Sequence, residues 1–376
     1  MLQGVHMKKS KIIKRILGLV IALLPGIMFF YIPTFLQNNT AVSEYYAIHI
    51  FPVLSRPFQF VSSLVPVSLT EIVVVFAACS CLLWSILIIY RLIRSEHKKE
   101  YIYRFILILS VCFSVTAILF TLFHGINYTR EPLESTLSLD ASKWSEDDLD
   151  QVSVWLVRIM AEIRPTLQED ENGCMVLDTS ISRALSDGSA AMDDAAVVFP
   201  VLSGSDVLAK PVALSHYWSY TGITGMYFPF LCEANVNIDI PESQLPITIC
   251  HEISHTRGIA REQDANLAAF LACISSERLD FQYSGYQFAL IYCLNDLYSA
   301  DQADYASVCA LIPEGVIRDW SQNSAYWKQF EGPVQETSTE INDSYLQANL
   351  QEEGVQSYGR VTDLIIDYYF TYVKGS

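Results

Sequence analysis

Five consecutive residues, His251-Glu252-Ile253-Ser254-His255, carry the side chains best suited to chemistry in this 376-residue chain, and Glu262 follows seven residues later. On a helix, positions i and i+4 share a face, so the two imidazoles can converge on one point while Glu252 stands beside them. That is a zinc-site geometry. A catalytic zinc site takes three protein ligands and leaves the fourth position to water, and Glu262 is the nearest suitable donor. Zn2+ is therefore the expected cofactor, with His251, His255 and Glu262 as metal ligands and Glu252 as catalytic base. Asp264 competes for the third place, but its side chain is shorter and points about 200° further round a helix that turns roughly 100° per residue. Asn266 lies one turn beyond Glu262 on the same face, placed to hold a ligand from behind.

The elements that must position these residues are legible nearby. Pro246 fits the first turn of a helix from about Leu245 to Arg257, and Glu242 and Ser243 stand where a helix start favours acidic and capping side chains. Gly258 can reverse the chain in a left-handed conformation, and a second helix then opens at Arg261 to Asn266 and runs to about Ser276. Upstream, Val236 and Ile238 alternate with Asn235, Asn237 and Asp239, the period-two pattern of a half-buried strand. Such a strand either offers an edge to a peptide or only supports the helix; both roles are compatible. Pro229 suits the end or edge of a strand.

Several of these segments carry a resemblance. Lys210-Pro211-Val212, Gly222 to Phe230, Glu233-Ala234-Asn235-Val236-Asn237, His251 to Asn266, Asn342 to Leu346 with Ala348-Asn349, and Gly354-Val355 with Ser357 to Arg360 are similar to a bacterial membrane-protein family known as domain of unknown function 3810. The resemblance covers most of the chain. It implies a zincin-like peptidase domain outside a membrane anchor and names no substrate. The Glu-x-x-Ala-Asn element from Glu262 to Asn266 also resembles the third-ligand segment of Glu-liganded zinc peptidases, in which the Glu binds metal, with Gln263-Asp264 a mild departure.

Composition divides the chain. Residues 1–123 hold 11 Lys or Arg against 4 Asp or Glu; the other 13 basic and 37 acidic residues fall in 124–376, giving charges of +7 and −24. So acidic a domain lacks the basic face that phosphate contacts need, which argues against nucleic acid as a partner. Three apolar runs, at about residues 16–36, 69–90 and 103–123, are long enough to cross a bilayer as helices. Lys8, Lys9, Lys11, Lys14 and Arg15 precede the first, and Arg91, Arg94, Lys98, Lys99 and Arg104 surround the link between the second and third. By the positive-inside rule these ends are cytoplasmic, so everything after His124 lies outside the cytoplasm of a multi-pass membrane protein. The first run has the basic start of a signal peptide, but its length, Pro25, Pro33 and the lack of a clear cleavage site favour an anchor.

The expected organisation is a membrane anchor (1–123), a polar linker (124–142) and an extracytoplasmic domain (143–376). Ser145 to Asp148 reads as a helix start. Helical spacing recurs over Phe281 to Leu297, Ala303 to Leu311, Val316 to Phe330, Glu336 to Leu350 and Gly359 to Tyr372, separated by Pro313, Gly332 and Gly354. The fold class is α+β: three transmembrane helices, then a mostly helical domain with one small sheet. Six of the nine cysteines lie outside the spans, which permits disulfides without choosing a pairing, and Cys250 reads as buried and apolar.

The expected activity is hydrolysis of peptide bonds in a peptide or protein substrate by a membrane-anchored zinc metallopeptidase. His216, Tyr217, Tyr227 and Tyr358 are the residue types that could stabilise an oxyanion. A scaffold domain with structural or absent zinc is the alternative, and it has no use for Glu252. An intramembrane protease is disfavoured because Thr256, Arg257, Arg261 and Glu262 are too polar for lipid.

Overall fold

In the computed structural model, which describes residues 2–139, 144–351 and 361–374, three helices are long and apolar enough to cross a membrane. They are Ser10–Leu36, Leu69–Arg94 and Lys98–Phe123, and they make this a membrane protein. The first and third pack along each other. Pro25 interrupts the first helix, and Ser114 of the third fills the gap. Its hydroxyl donates to the Ala22 carbonyl at 2.5 Å and accepts from the Gly26 N–H at 3.1 Å, two groups that would otherwise bond each other. A Cβ at Gly26 would lie 2.5 Å from Ser114 Cα, so the approach requires glycine.

The segment between the first two spans folds against the domain. Gln59 Nε2 donates to the Thr256 carbonyl at 2.8 Å, Lys210 Nζ donates to the Ser62 carbonyl at 2.8 Å, and Arg130 pairs with Glu44 at 2.9 Å. Glu233 accepts from the N–H groups of Leu69 and Thr70, the orphan donors at the start of the second span. The end of the first span, the start of the second, the end of the third and the domain therefore share one side of the membrane.

The domain is mostly helical. Its core joins Leu149, Val152, Leu156 and Met160 of Glu146–Ile163 to Leu290, Cys293 and Leu297 of Leu279–Ala300. The first of these helices begins with the capping box of Ser145 and Asp148. Helix Ile181–Val198 packs on both site helices, Leu245–Thr256 and Glu262–Ser275. A buried ion pair, Arg164 to Asp319 at 2.7 Å, ties the end of Glu146–Ile163 to helix Glu314–Lys328, and Asp319 also accepts from Met175 N–H at 2.7 Å.

The sheet has three strands in the order β1-β3-β2: β1 is Lys210–Pro211, β2 is Gly225–Phe228 and β3 is Glu233–Val236. β3 pairs parallel with β1 and antiparallel with β2, with Tyr227 opposite Ala234. β2 is an edge strand, and Pro229 directly follows it.

Three expectations need correction. Residues 124–139 are not a polar linker: Gly125 to Thr129 are buried, Leu133, Leu137 and Leu139 join the main core, Arg130 donates to the Gly258 carbonyl at 2.9 Å, and the Leu133 N–H donates to Asp264 at 3.3 Å. The alternation around Val236 does not mark a half-buried strand. Asn235 and Asn237 are fully buried, because Asn235 bonds Ser68, Thr70 and the Met226 carbonyl while Asn237 bonds Ser219 and the Ile223 carbonyl. Glu242 and Ser243 do not cap the first site helix: they lie in a short 3-10 turn ahead of it, Glu242 accepting from Leu177 N–H at 2.7 Å. The nine cysteines are free thiols, and Cys250 is buried in the core. Of the last predicted helix, Val361–Tyr368 is formed; Tyr358 and the rest of Gly354 to Arg360 lie outside the described residues.

Candidate metal centre

The turn after the first site helix does two jobs. Gly258 adopts φ +82°, and the Gly258 and Ile259 N–H groups return to the carbonyls of His255 and Ser254, the double closure of a Schellman motif. The same reversal brings the Ile259 carbonyl to His255 Nδ1 at 2.7 Å. On the second helix, Asn266 Oδ1 meets His251 Nδ1 at 2.8 Å. Each imidazole is thus held from behind by an oxygen acceptor, which fixes Nδ1 as the donor and turns Nε2 inward.

The two Nε2 atoms face each other at 3.2 Å. Glu262, the first residue of helix Glu262–Ser275, reaches His251 Nε2 at 3.2 Å and His255 Nε2 at 3.8 Å. Among the described residues, His251, His255 and Glu262 form the one group of three possible metal ligands, with donor atoms all within 4.8 Å of one another. Asp264 turns away, bonding Arg261 at 2.8 Å and Leu133 N–H. Two imidazole nitrogens and one carboxylate oxygen, both rings braced through Nδ1, are a donor set that suits Zn2+.

Charges in the metal-free protein follow from this crowding. Burial opposes ionisation of Glu262, but His255 and His251 outweigh it and bring the carboxyl down to about 2. Burial likewise opposes charge on His251, yet the Glu262 contact raises it to about 9, while burial and the neighbouring His251 hold His255 near 4. The Glu262 carboxylate thus favours a proton on His251, on the side that faces the other two donor atoms.

Glu252 is buried beside this cluster. Burial pushes its carboxyl up to about 8, against the attraction of His251 and a hydrogen bond from the Tyr227 N–H. Its Oε2 is buried with no hydrogen-bond partner in the protein. β2 lies directly over it: a Cβ on Gly225 would come within 2.5 Å of Glu252 Oε1. The Asn237 N–H to Thr224 carbonyl bond sets the alternation of the β2–β3 ladder, so Gly225 and Tyr227 turn their peptide groups away from β3, toward Glu252 and the free edge.

Of the oxyanion candidates, His216 and Tyr217 are exposed, His216 pairing with Asp239 at 3.0 Å. Tyr227 is buried, but its hydroxyl donates to the Phe123 carbonyl at 3.1 Å. Sequence reasoning missed His124, Tyr128 and Tyr345. The His124 ring lies 5.8 Å from that of His255, its Nε2 is 3.0 Å from the Tyr128 hydroxyl, and that hydroxyl is 3.3 Å from the hydroxyl of Tyr345. Burial drives His124 down to about 3, keeping it neutral. Tyr345 falls in the Asn342 to Leu346 segment, a signal that could have found it; His124 and Tyr128 carried none.

No curated protein and no solved structure matches the chain. A family model does match, over residues 46–366, from the segment after the first span through both remaining spans and the His251, His255 and Glu262 cluster into the last helix. The chain belongs to the family described as protein of unknown function DUF3810.

Proposed function

We propose that this chain is a membrane-anchored zinc metallopeptidase with a zincin-like catalytic domain outside the cytoplasm. The reading rests on the buried, unpartnered Glu252 oxygen, which stands beside three convergent ligand atoms and beneath a free strand edge. A structural site has no use for a base there, and a buried carboxyl oxygen without a partner costs stability, so its retention beside the ligand atoms favours a catalytic role.

His251, His255 and Glu262 would hold Zn2+, which when bound acidifies water and polarises a carbonyl. Glu252, in its ionised form, takes the proton from the attacking water and passes it to the departing amine. The Gly225 peptide group and the Tyr227 carbonyl align an extended substrate as an added strand. The basic residues at the far ends of the spans support a cytoplasmic N-terminus.

The test compares new N-terminal peptides in membranes and medium of cells carrying wild type or Glu252→Gln, with zinc content measured on both purified proteins. Glu252→Gln should retain zinc and slow turnover by about 10²–10⁴-fold. Identical peptide profiles from the two strains would overturn the assignment.

A further inference from the structure

The metal centre stands at the surface of the bilayer, and its own elements, rather than remote parts of the domain, rest on the ends of the spans. β2 reaches the third span through the Tyr227 hydroxyl on the Phe123 carbonyl at 3.1 Å. β3 reaches the second span through Glu233 on the N–H groups of Leu69 and Thr70. The first site helix reaches the segment between the spans through Gln59 on the Thr256 carbonyl, and the Gly258 turn packs on Phe51 and Asn127. His124, whose ring is 5.8 Å from that of His255, immediately follows the last residue of the third span.

Helix length sets the depth. Lys98, Lys99 and Arg104 mark the far boundary of the third span. From Phe105 to Phe123 the helix is about 28 Å long at 1.5 Å per residue, close to the roughly 30 Å of the hydrocarbon core. Phe123 therefore stands at the near hydrocarbon edge, and His124 with the ligands beyond it lies among the headgroups, a layer about 5–7 Å deep on each side. Beside the second span, the Ala213 and Leu214 N–H groups donate to Glu71 at 2.8 Å, and Leu214 and Tyr217 are exposed there. An apolar and an aromatic side chain at that level suit the membrane interface.

We propose, building on the peptidase reading, that the substrate is a polypeptide anchored in the same bilayer, cut in the few residues next to its own membrane span. Such a segment leaves the hydrocarbon at the height of the free β2 edge and needs no descent from bulk solvent. In extended form it rises about 3.3 Å per residue, so about two residues cross the headgroup layer and about six, roughly 20 Å, set the outer limit for the cut. Confinement to one membrane also raises the effective concentration of enzyme and substrate for each other.

The experiment uses the full chain, loaded with Zn2+, in phosphatidylcholine vesicles. A mixed set of single-span reporter polypeptides with varied juxtamembrane sequences is reconstituted in the same vesicles, and cut positions are read by mass spectrometry against Glu252→Gln. Cleavage should cluster within about six residues of the span. It should fall at least tenfold when the same segments are moved outward by a 40-residue spacer of helical Glu-Ala-Ala-Ala-Lys repeats, about 60 Å long, or placed in separate vesicles. Equal cleavage of displaced or separate reporters overturns the proposal while leaving the peptidase reading intact. No cleavage of any reporter by wild type overturns both. Depth is measured independently of activity: Met226→Cys, on the exposed face of β2, is labelled with a charged fluorophore and titrated with headgroup spin-labelled lipid. Strong quenching supports the proposal, and none overturns it.

Discussion

Asn266→Ala should weaken zinc binding without changing any atom that touches the ion. The amide oxygen of Asn266 accepts from His251 Nδ1 at 2.8 Å, and Asn266 is buried, so no solvent stands ready to replace it. Without that acceptor the His251 ring loses both its fixed tautomer and its orientation. Loss of a partner of this kind raises the zinc dissociation constant by about 10–100-fold, equivalent to about 1.4–2.7 kcal/mol. The assay is competition with a chromogenic chelator, using the full chain in detergent. Asn266→Asp keeps the acceptor and should bind at least as tightly as wild type. Asp264→Asn is the control: Asp264 serves Arg261 and Leu133 rather than the imidazoles, so zinc affinity should stay within about twofold even if stability drops. An unchanged dissociation constant in Asn266→Ala, or an equal loss in Asp264→Asn, would refute the idea that this contact orients the ligand.

Zinc binding should depend on pH through His251, raised to about 9 in the metal-free protein. The ring is protonated at neutral pH and must lose that proton to bind a cation, so affinity should rise about tenfold per pH unit up to about 9. Calorimetry at pH 7 in buffers of different ionisation enthalpy should show about one proton released per ion, or somewhat more if Glu252 also ionises; no release would contradict the charge assignment. Gly225→Ala brings a methyl carbon to within 2.5 Å of Glu252 Oε1 and should lower peptidase turnover at least tenfold while zinc content stays near wild type. Unchanged turnover would show that β2 does not hold Glu252 in place. Asp319→Asn removes the buried partner of Arg164 and leaves it the Glu169 carboxylate, so the cost should fall below the ~3–5 kcal/mol of a buried pair broken outright, read as a fall in thermal midpoint in detergent.

The sequence by itself determined what depends on near neighbours along the chain. Runs of apolar residues specify three helices whatever they pack against, since hydrocarbon and helix length alone set that requirement. The i, i+4 spacing of His251 and His255, the glycine that reverses the chain at 258 and the acid opening the next helix are likewise local, and so the cluster of three side chains was legible before the fold. Tertiary structure decided what depends on distant partners. Asn235 and Asn237 look like solvent-facing strand positions, yet they are buried because Ser68, Thr70 and Ser219 arrive from elsewhere to bond them. Residues 124–139 look like a linker, yet they fill the space between span and site. His124, Tyr128 and Tyr345 reach the site from segments more than 200 residues apart, which no periodicity can report. The exposure of a polar residue is a property of what folds over it, and the chain's own order does not record that.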